Sequence, residues 1–524
     1  MLNPSDLDFP KHFDSFRDCQ HEAFEYCLTS EKQYCALGMP PGSGKSGIAY
    51  GLSKLFGGRT IILTATHGLE DQYTADFNTK EHIRIDRIRG RRNYVCWEGG
   101  NCDDGRRAGC ADKEGCPYLA ELRVFNACNV GITNYAWWLA VNAQAAGIPK
   151  PDTLICDESH LIPEWLASSL NFRLNEKELR ALKCREKPSE DIEEWRGMSP
   201  NLLQAAFDNH NEAQQVYGKI RLRSTEDAYR LRKAEELYDK MYRLSKIDRD
   251  ADNWIITKSE GEDEGRVWRF EVIWPGMYKA RLFQGVKRVI LMSATLRPKT
   301  LQYIGLKRSE VDFREWDRQF PAVNGPVIWI PTAKMRHGMD NEDRQRWIDR
   351  HREIYTWGSD RKGLSHTVSY DRARQLNEAL GDTFPIVLNG AADPESQTAT
   401  DAFKKFIWSS AYSVLVSPSF STGWDFSGQR AEWQTISKIA FPPTNDKIIA
   451  ARTEQDSDYP AYVAVQDLVQ ACGRLNRYRD DRGTTLIVDD AVGSQWFKRA
   501  IKDHAPRWFN VRREEVLPMP LEKL

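Results

Sequence analysis

The sequence predicts an α/β fold with parallel sheets, organised as two αβ units. Three observations predict it. Short apolar runs each end in a polar turn: "YCALG" before "MPPGSGKS", "TIILT" before "ATHGLEDQY", "TLIC" before "DESH", and "KRVILM" before "SATL". The same texture returns in the second half at "PVIWIP", "SVLVSPS", "TISKIAF" and "TTLIVDD", with polar helical stretches between. Finally, 524 residues exceed one ordinary core, so more than one domain is required.

Composition narrows the class. Hydrophobic residues make up 41% and charged residues 28%, the balance of a globular chain. Lys plus Arg number 74 against 75 Asp plus Glu, a net charge of −1. Bulk charge therefore attracts no nucleic acid, and any such surface must be local. The start, "MLNPSDLDFPKHFD", has neither a basic head nor an apolar run, so no secretory signal is read there. No apolar stretch is long enough to span a membrane. A cytoplasmic location is expected. In a reducing compartment, clustered cysteines favour metal binding or catalysis over disulfides.

The first unit opens with a phosphate site. After the run ending at Leu37, the turn reads Met39-Pro40-Pro41-Gly42-Ser43-Gly44-Lys45-Ser46. Ile48, Leu52 and Leu55 then recur at helical spacing. This is a P-loop with Met39 where the strict pattern has Gly. Gly42 and Gly44 permit the turn, backbone N–H groups around Pro41 to Gly44 cradle phosphates, Lys45 reaches the β- and γ-phosphates, and Ser46 ligates Mg²⁺. Upstream, Arg17 and Gln20 precede the P-loop strand, and the Gln20 amide is a candidate reader of the adenine edge. A surface helix residue is the equal alternative.

A second carboxylate site follows at "TLICDESH". Asp157 would hold Mg²⁺ and Glu158 would orient and deprotonate the attacking water. His160 is placed to couple this site to its neighbours. Two more strands end in hydroxyl residues, at Thr66-His67 and at Ser293-Ala294-Thr295. That position suits contact with a backbone phosphate, although each alone is an ordinary helix cap. Near the end, "VQACGRLNRYRDDRG" places Gln470, Arg474 and Arg477 four and three apart, one face of a helix. Two arginines there suit the transition state of phosphoryl transfer at a γ-phosphate held by the other unit.

In order, "PPGSGKS", "DESH", "SATL", "SPSFSTGWDFSG" and "QACGRLNR" resemble a superfamily 2 helicase, and more narrowly the XPD/DinG family of iron–sulphur helicases. "SFSTGWDFSG", which holds Gly423 and Asp425, is similar to that family's S-F-W-E-G-V-D-F-x-G box, with Ser421-Thr422 in place of Trp-Glu. The resemblance implies two RecA-like domains with ATP between them, Gly423 and Asp425 on the nucleotide, and 5′-to-3′ movement on single-stranded or forked DNA. It implies a first domain over 1–90, 119–161 and 253–304 and a second over 305–524. A cysteine-rich insertion at 91–118 and a helical, arch-like insertion at 162–252 interrupt the first. A monomer is expected.

The cysteine insertion has a local reading of its own. Arg84, Arg87, Arg89, Arg91 and Arg92 crowd ahead of it with Tyr94 and Trp97, a basic–aromatic pattern suited to single-strand contact. Arg91, Arg92, Asn93 and Tyr94 are the nearest candidates, with Asn134, Tyr135 and Ser369 as further expected DNA contacts. Cys96, Cys102, Cys110 and Cys116 are spaced C-x5-C-x7-C-x5-C. Four thiolates hold either Zn²⁺ or a 4Fe–4S cluster, and the spacing leaves both open. The resemblance favours the cluster, because "GRRNYVC" is similar to the family's G-R-x-N-Y-x-C entry. Two other functions compete: a translocase or RNA-directed enzyme with little unwinding, and a nucleic-acid-binding module whose ATPase has decayed.

Overall fold

The protein is described from a computed structural model covering residues 2–96, 100–107, 110, 115–143, 147–184, 188–217, 225–247, 250–261, 263–336, 338–389, 398–409, 412–420, 424, 426, 430–475 and 480–519. Trp97, Gly423, Asp425 and Arg477 lie outside the described residues.

Two all-parallel sheets, each of seven strands among the described residues, form the frame. The first runs, in spatial order, Val311–Glu315, Tyr34–Gly38, Arg288–Ser293, Thr153–Cys156, Thr60–Thr64, Val130–Asn134 and Asp86–Arg87. The second runs Ile386–Val387, Val414–Ser417, Gly363–His366, Trp433–Ile436, Thr484–Asp489, Val327–Ala333 and Arg512–Arg513. Helices cover both faces, so the central strands are buried on both sides and read as continuous apolar runs.

Parallel pairing puts every strand's C-terminus on the same edge of its sheet. Gly38, Thr64, Asn134, Cys156 and Ser293 therefore end together, and the P-loop, "DESH" and "SAT" turns leave from one edge. That edge is where open α/β sheets hold ligands.

Two boundaries differ from the sequence expectation. Val311–Glu315 pairs with the P-loop strand, and Trp316 N–H donates to the Gly38 carbonyl, so the first unit continues past residue 305. Its apolar pattern names no sheet, and only the long-range pairing assigns it. The arch-like insertion is also larger and less purely helical than 162–252. Strands Trp254–Gly261 and Gly265–Val272 form a hairpin, and the second of them pairs with Phe172–Asn175 in a separate antiparallel sheet. Trp195, Leu202, Leu237, Met241, Trp254, Trp268 and Phe270 share one core there, so the hairpin belongs to the insertion. On the insertion's helix Thr225–Leu244, Leu231 and Met241 are fully buried.

Candidate nucleotide-hydrolysis site

Helix Lys45–Phe56 starts directly at the P-loop, with its N-terminus facing the loop. Gly42 and Gly44 have φ of +76° and +74°, which side-chain-bearing residues rarely adopt. A Cβ on Gly44 would also lie 2.6 Å from the Gln20 amide nitrogen. Met39 departs from the strict P-loop pattern at no visible cost, because its side chain is buried in the core under the turn. Gln20 differs from its expected role. Its amide donates to the Gly44 carbonyl at 3.2 Å, and its carbonyl accepts the Arg17 N–H at 2.8 Å. The Arg17 guanidinium donates to the Gly42 carbonyl. Both side chains brace the phosphate loop from behind.

Across from Lys45 stand the two carboxylates. Asp157 is buried and accepts from the Tyr73 hydroxyl at 3.0 Å and from the Glu158 N–H at 2.9 Å. Burial pushes its carboxyl up, the Glu158 charge adds to this, and Lys45 opposes it. Burial also acts upward on Glu158, but the His160 hydrogen bond and the charges of Lys45, His160 and Arg474 outweigh it and hold Glu158 ionised. The pair is thus split, one carboxylate pushed up and the other down, as acid–base sites require. Glu158 itself is at φ +50°, a left-handed conformation costing about 1–3 kcal/mol in a non-glycine residue. That turn lets two consecutive carboxylates face one cleft.

From Glu158 a polar chain crosses to the second unit. His160 Nδ1 lies 2.7 Å from Ser293 Oγ and 3.3 Å from a Glu158 oxygen. Its Nε2 lies 3.2 Å from the Gln470 amide nitrogen, which also donates to Thr295 Oγ1 at 2.9 Å. Arg474 completes the chain, donating to Gln470 Oε1 at 3.3 Å and to the Trp424 carbonyl at 3.2 Å. Gln470 and Arg474 do not share one helix as expected. The helix Tyr459–Cys472 ends two residues before Arg474, which sits in the following turn.

Several expected DNA contacts lie elsewhere. Tyr135 is fully buried, with its hydroxyl on the Asp157 carbonyl at 2.8 Å. Asn134 is buried and bonds Glu70 Oε1 at 3.0 Å. Thr295 is buried in the seam between the two units. These three support the site from within and offer no surface. Thr66 and Ser369 cap helices. His67 bonds Glu70 at 2.9 Å and keeps its ring half exposed.

The arginine crowd is largely neutralised by acids remote in sequence. Arg84 pairs with Asp8, Arg87 with Asp71, Arg89 with Glu70 and Asp71, and Arg92 with Asp103. Arg91 stacks over Tyr118 and points a donor at Cys102 Sγ, 3.5 Å away. Tyr94 bonds Glu121, and Asn93 bonds the Gly90 carbonyl.

Cys96 and Cys110 lie against Gly105, and Cys102 lies beside Cys116. Cys102 Sγ and Cys116 Sγ are 3.9 Å apart, and a Cβ on Gly105 would strike Cys96 Sγ at 2.2 Å and reach Cys110 Cβ at 3.9 Å. Cys96, Cys102 and Cys116 are buried and Cys110 is partly exposed. They are not closed into a ligand set: among the described residues no group of three His, Cys, Asp or Glu side chains is arranged to hold a metal ion. Among those residues, too, no helix is long and apolar enough to cross a membrane.

Comparison with known proteins agrees with this frame. Residues 359–509 match the helicase C-terminal domain family. The ATP-dependent DNA helicase DinG of Escherichia coli strain K12 is 24% identical over 305 residues, covering 54% of this chain and 42% of that protein. DinG of Salmonella typhimurium strain LT2 is 27% identical over 225 residues, covering 40% of this chain and 31% of that protein. The matches thus span less than half the length of these relatives. Among solved structures, an XPD helicase superposes with a TM-score of 0.64 at 15% identity, covering 95% of this chain and 100% of that one. Xpd4 of S. tokodaii gives 0.58 at 13%, again covering 95% and 100%. The two parallel sheets share the fold of these XPD helicase structures, and the second of them lies largely within the stretch that matches the helicase C-terminal domain family.

Proposed function

We propose that the protein is an ATP-driven DNA helicase that moves 5′ to 3′ on single-stranded DNA and opens forked duplexes. The observation that carries this reading is the polar chain from Glu158 through His160 and Gln470 to Arg474. It joins the hydrolytic carboxylate of one domain to a cation of the other, so hydrolysis and domain closure are one event.

The residues divide the work. Lys45 and the loop N–H groups hold the phosphates. Ser46 and Asp157 would hold Mg²⁺, which when bound would supply positive charge at the phosphates. Glu158, held ionised, takes the proton of the attacking water, and His160 keeps that carboxylate aimed. Arg474, with Arg477 beside it in sequence, neutralises the charge that develops on the γ-phosphate. A DNA-stimulated ATPase assay tests the motor. We expect Lys45→Ala to lose at least about 100-fold in rate, the scale on which transition-state charge stabilisation acts. Equal activity in both proteins sinks the reading. Forked substrates with opposite tails test polarity, and unwinding from a 3′ tail alone refutes the direction.

The cysteine set fits a thiolate-held group. Cys96 and Cys110 lie against Gly105, where any side chain would fill the space, and Cys102 lies 3.9 Å from Cys116. Cys96, Cys102, Cys110 and Cys116 would hold a 4Fe–4S cluster, which would pin this short segment into a rigid element near the point of strand separation. Zn²⁺ at the same cysteines is the second reading. The 3.9 Å between Cys102 and Cys116 favours it, since tetrahedral Zn–S bonds of about 2.3 Å set sulfurs about 3.8 Å apart. Anaerobic purification with metal analysis decides. Brown protein with four irons per chain supports the cluster, and colourless protein with one zinc overturns it.

A further inference from the structure

Two buried tyrosines converge on Asp157. Tyr73 stands on the helix His67–Phe77, which follows the strand Thr60–Thr64. Tyr135 opens the helix Tyr135–Ala143, directly after the strand Val130–Asn134. Both are at most 1% exposed. Tyr73 packs in one core of the first domain, with Leu37, Ile62 and Ile155. Tyr135 packs in another, with Ala36, Leu63 and Leu154. Alternate residues of a strand point to opposite faces of its sheet, so the two rings reach the end of the Thr153–Cys156 strand from opposite sides.

Their hydroxyls divide one residue between them. Tyr73 donates to Asp157 Oδ2 at 3.0 Å, and Tyr135 donates to the Asp157 carbonyl at 2.8 Å. A phenol keeps its proton at neutral pH, so each can donate. The first bond fixes the carboxylate. With the Glu158 N–H on Oδ1 at 2.9 Å, each carboxylate oxygen has one donor and keeps lone-pair capacity for a cation or its waters. The second bond fixes a peptide plane. The Asp157 carbonyl belongs to the peptide that joins Asp157 to Glu158, and the N–H of that same peptide is the donor to Oδ1. Both ends of the plane are thus bonded, and its rotation would change the φ of Glu158. That angle is +50°, a value that persists in a residue with a Cβ only where its surroundings over-determine it.

We propose that the two tyrosines are positioning residues with separate duties. Tyr73 sets the carboxylate of Asp157 for the divalent cation. Tyr135 sets the peptide between Asp157 and Glu158, and through it the aim of Glu158 at the attacking water. The inference rests on the reading of Asp157 as the Mg²⁺ ligand and Glu158 as the base, and it adds what holds each in place. Hydrogen-bond partners of a metal-ligating carboxylate orient it and tune its hold on the metal. A general base must lie within reach of the proton it takes, so a misdirected one slows the reaction. Loss of the Tyr73 hydroxyl should therefore appear in metal affinity, and loss of the Tyr135 hydroxyl in rate.

The test uses the full chain carrying Tyr73→Phe or Tyr135→Phe, each of which removes one oxygen and keeps the ring. Calorimetry reads ADP affinity without metal, electron paramagnetic resonance reads Mn²⁺ affinity in the ADP complex, and single-turnover ATP hydrolysis is followed across a Mg²⁺ series. Metal-free ADP affinity should match wild type in both variants, because among the described residues neither hydroxyl bonds the phosphate loop. Tyr73→Phe should weaken Mn²⁺ by about 10-fold or more, and its hydrolysis should recover as Mg²⁺ is raised. Tyr135→Phe should hold Mn²⁺ as wild type does, and at saturating Mg²⁺ hydrolyse ATP roughly 10- to 100-fold more slowly, part of what a general base contributes. Unchanged Mn²⁺ affinity in Tyr73→Phe, or an unchanged rate in Tyr135→Phe, overturns the assignment. Equal losses of metal affinity and rate in both variants also overturn it, as does loss of metal-free ADP binding, because the hydroxyls would then only support the fold. If wild type holds no Mn²⁺ with ADP, the reading of the hydrolysis site falls and this inference falls with it.

Discussion

The two domains meet along two seams of opposite character. Beside the nucleotide site the contacts are thin and polar: His160 to Gln470, Gln470 to Thr295, and the Trp508 N–H to the Ala294 carbonyl at 3.2 Å. Away from it, Trp274 and Tyr303 of the first domain pack on Tyr459 and Tyr462 of the second, with centroids 5.1 to 5.7 Å apart. Asp456 accepts from Tyr303 at 2.7 Å and pairs with Lys299 at 2.9 Å, and Arg452 donates to the Ile273 carbonyl at 2.7 Å. Polar contacts exchange with water at little net cost, whereas a buried aromatic cluster does not. Under the proposed function the polar seam is the one that opens and closes, and the aromatic seam is its pivot. Arg452 and Lys447, which pairs with Glu190, also tie that pivot to the arch-like insertion.

Chemistry gives the largest expected effect. Glu158→Gln keeps shape and removes the base, so kcat for ATP hydrolysis should fall about 10²- to 10⁴-fold with nucleotide binding retained. A single-turnover assay beside equilibrium binding separates the two. Loss of binding without loss of rate would move Glu158 out of the chemistry.

Stability should distinguish the seams next. Tyr303 is 7% exposed at the centre of the aromatic cluster. Tyr303→Ala should cost about 3–5 kcal/mol, as for other buried aromatics cut to Ala. Gln470→Ala should cost no more than about 1 kcal/mol, the worth of exchangeable hydrogen bonds, yet reduce the DNA stimulation of ATP hydrolysis. Thermal melts and stimulated rates on both variants check this. If Gln470→Ala melts earlier than Tyr303→Ala, the roles of the two seams are reversed.

The contrast also marks what the sequence could reveal. The placement of Lys45, Ser46, Asp157 and Glu158 at one sheet edge is legible in the sequence, because each lies next to its own strand and turn. The pivot was not legible: Trp274, Tyr303, Tyr459 and Tyr462 come from segments nearly two hundred residues apart and match no local pattern. The same limit explains the errors. Tyr135 and Thr295 follow strands just as surface contacts would, and only the packed structure turns them inward. The arginines before Cys96 look like a free basic patch until Asp8, Glu70 and Asp71 fold against them.

The smallest expected effect concerns pH. Burial acts to raise the Asp456 carboxyl, but the hydrogen bonds from Lys299 and Tyr303 and the Lys299 charge outweigh it, so its folded value lies below the ordinary 3.8. A carboxylate held below its unfolded value stabilises fully above that value and loses its contribution as pH falls through the folded one. The aromatic seam should therefore ignore pH between about 5 and 8 and loosen only in strong acid. Asp157, at the polar seam, is pushed in the opposite direction by burial and by Glu158. In nucleotide-free protein it takes up its proton at a higher pH than Asp456 does. Acidification should thus disturb the nucleotide site while the pivot still holds. Lys299→Ala breaks this separation. Without the cation the folded Asp456 value rises, and the acid loosening of the pivot should move toward neutral pH. Limited proteolysis across a pH series reads that midpoint. An unchanged midpoint in Lys299→Ala would show that aromatic packing, and not the ion pair, sets the strength of the pivot.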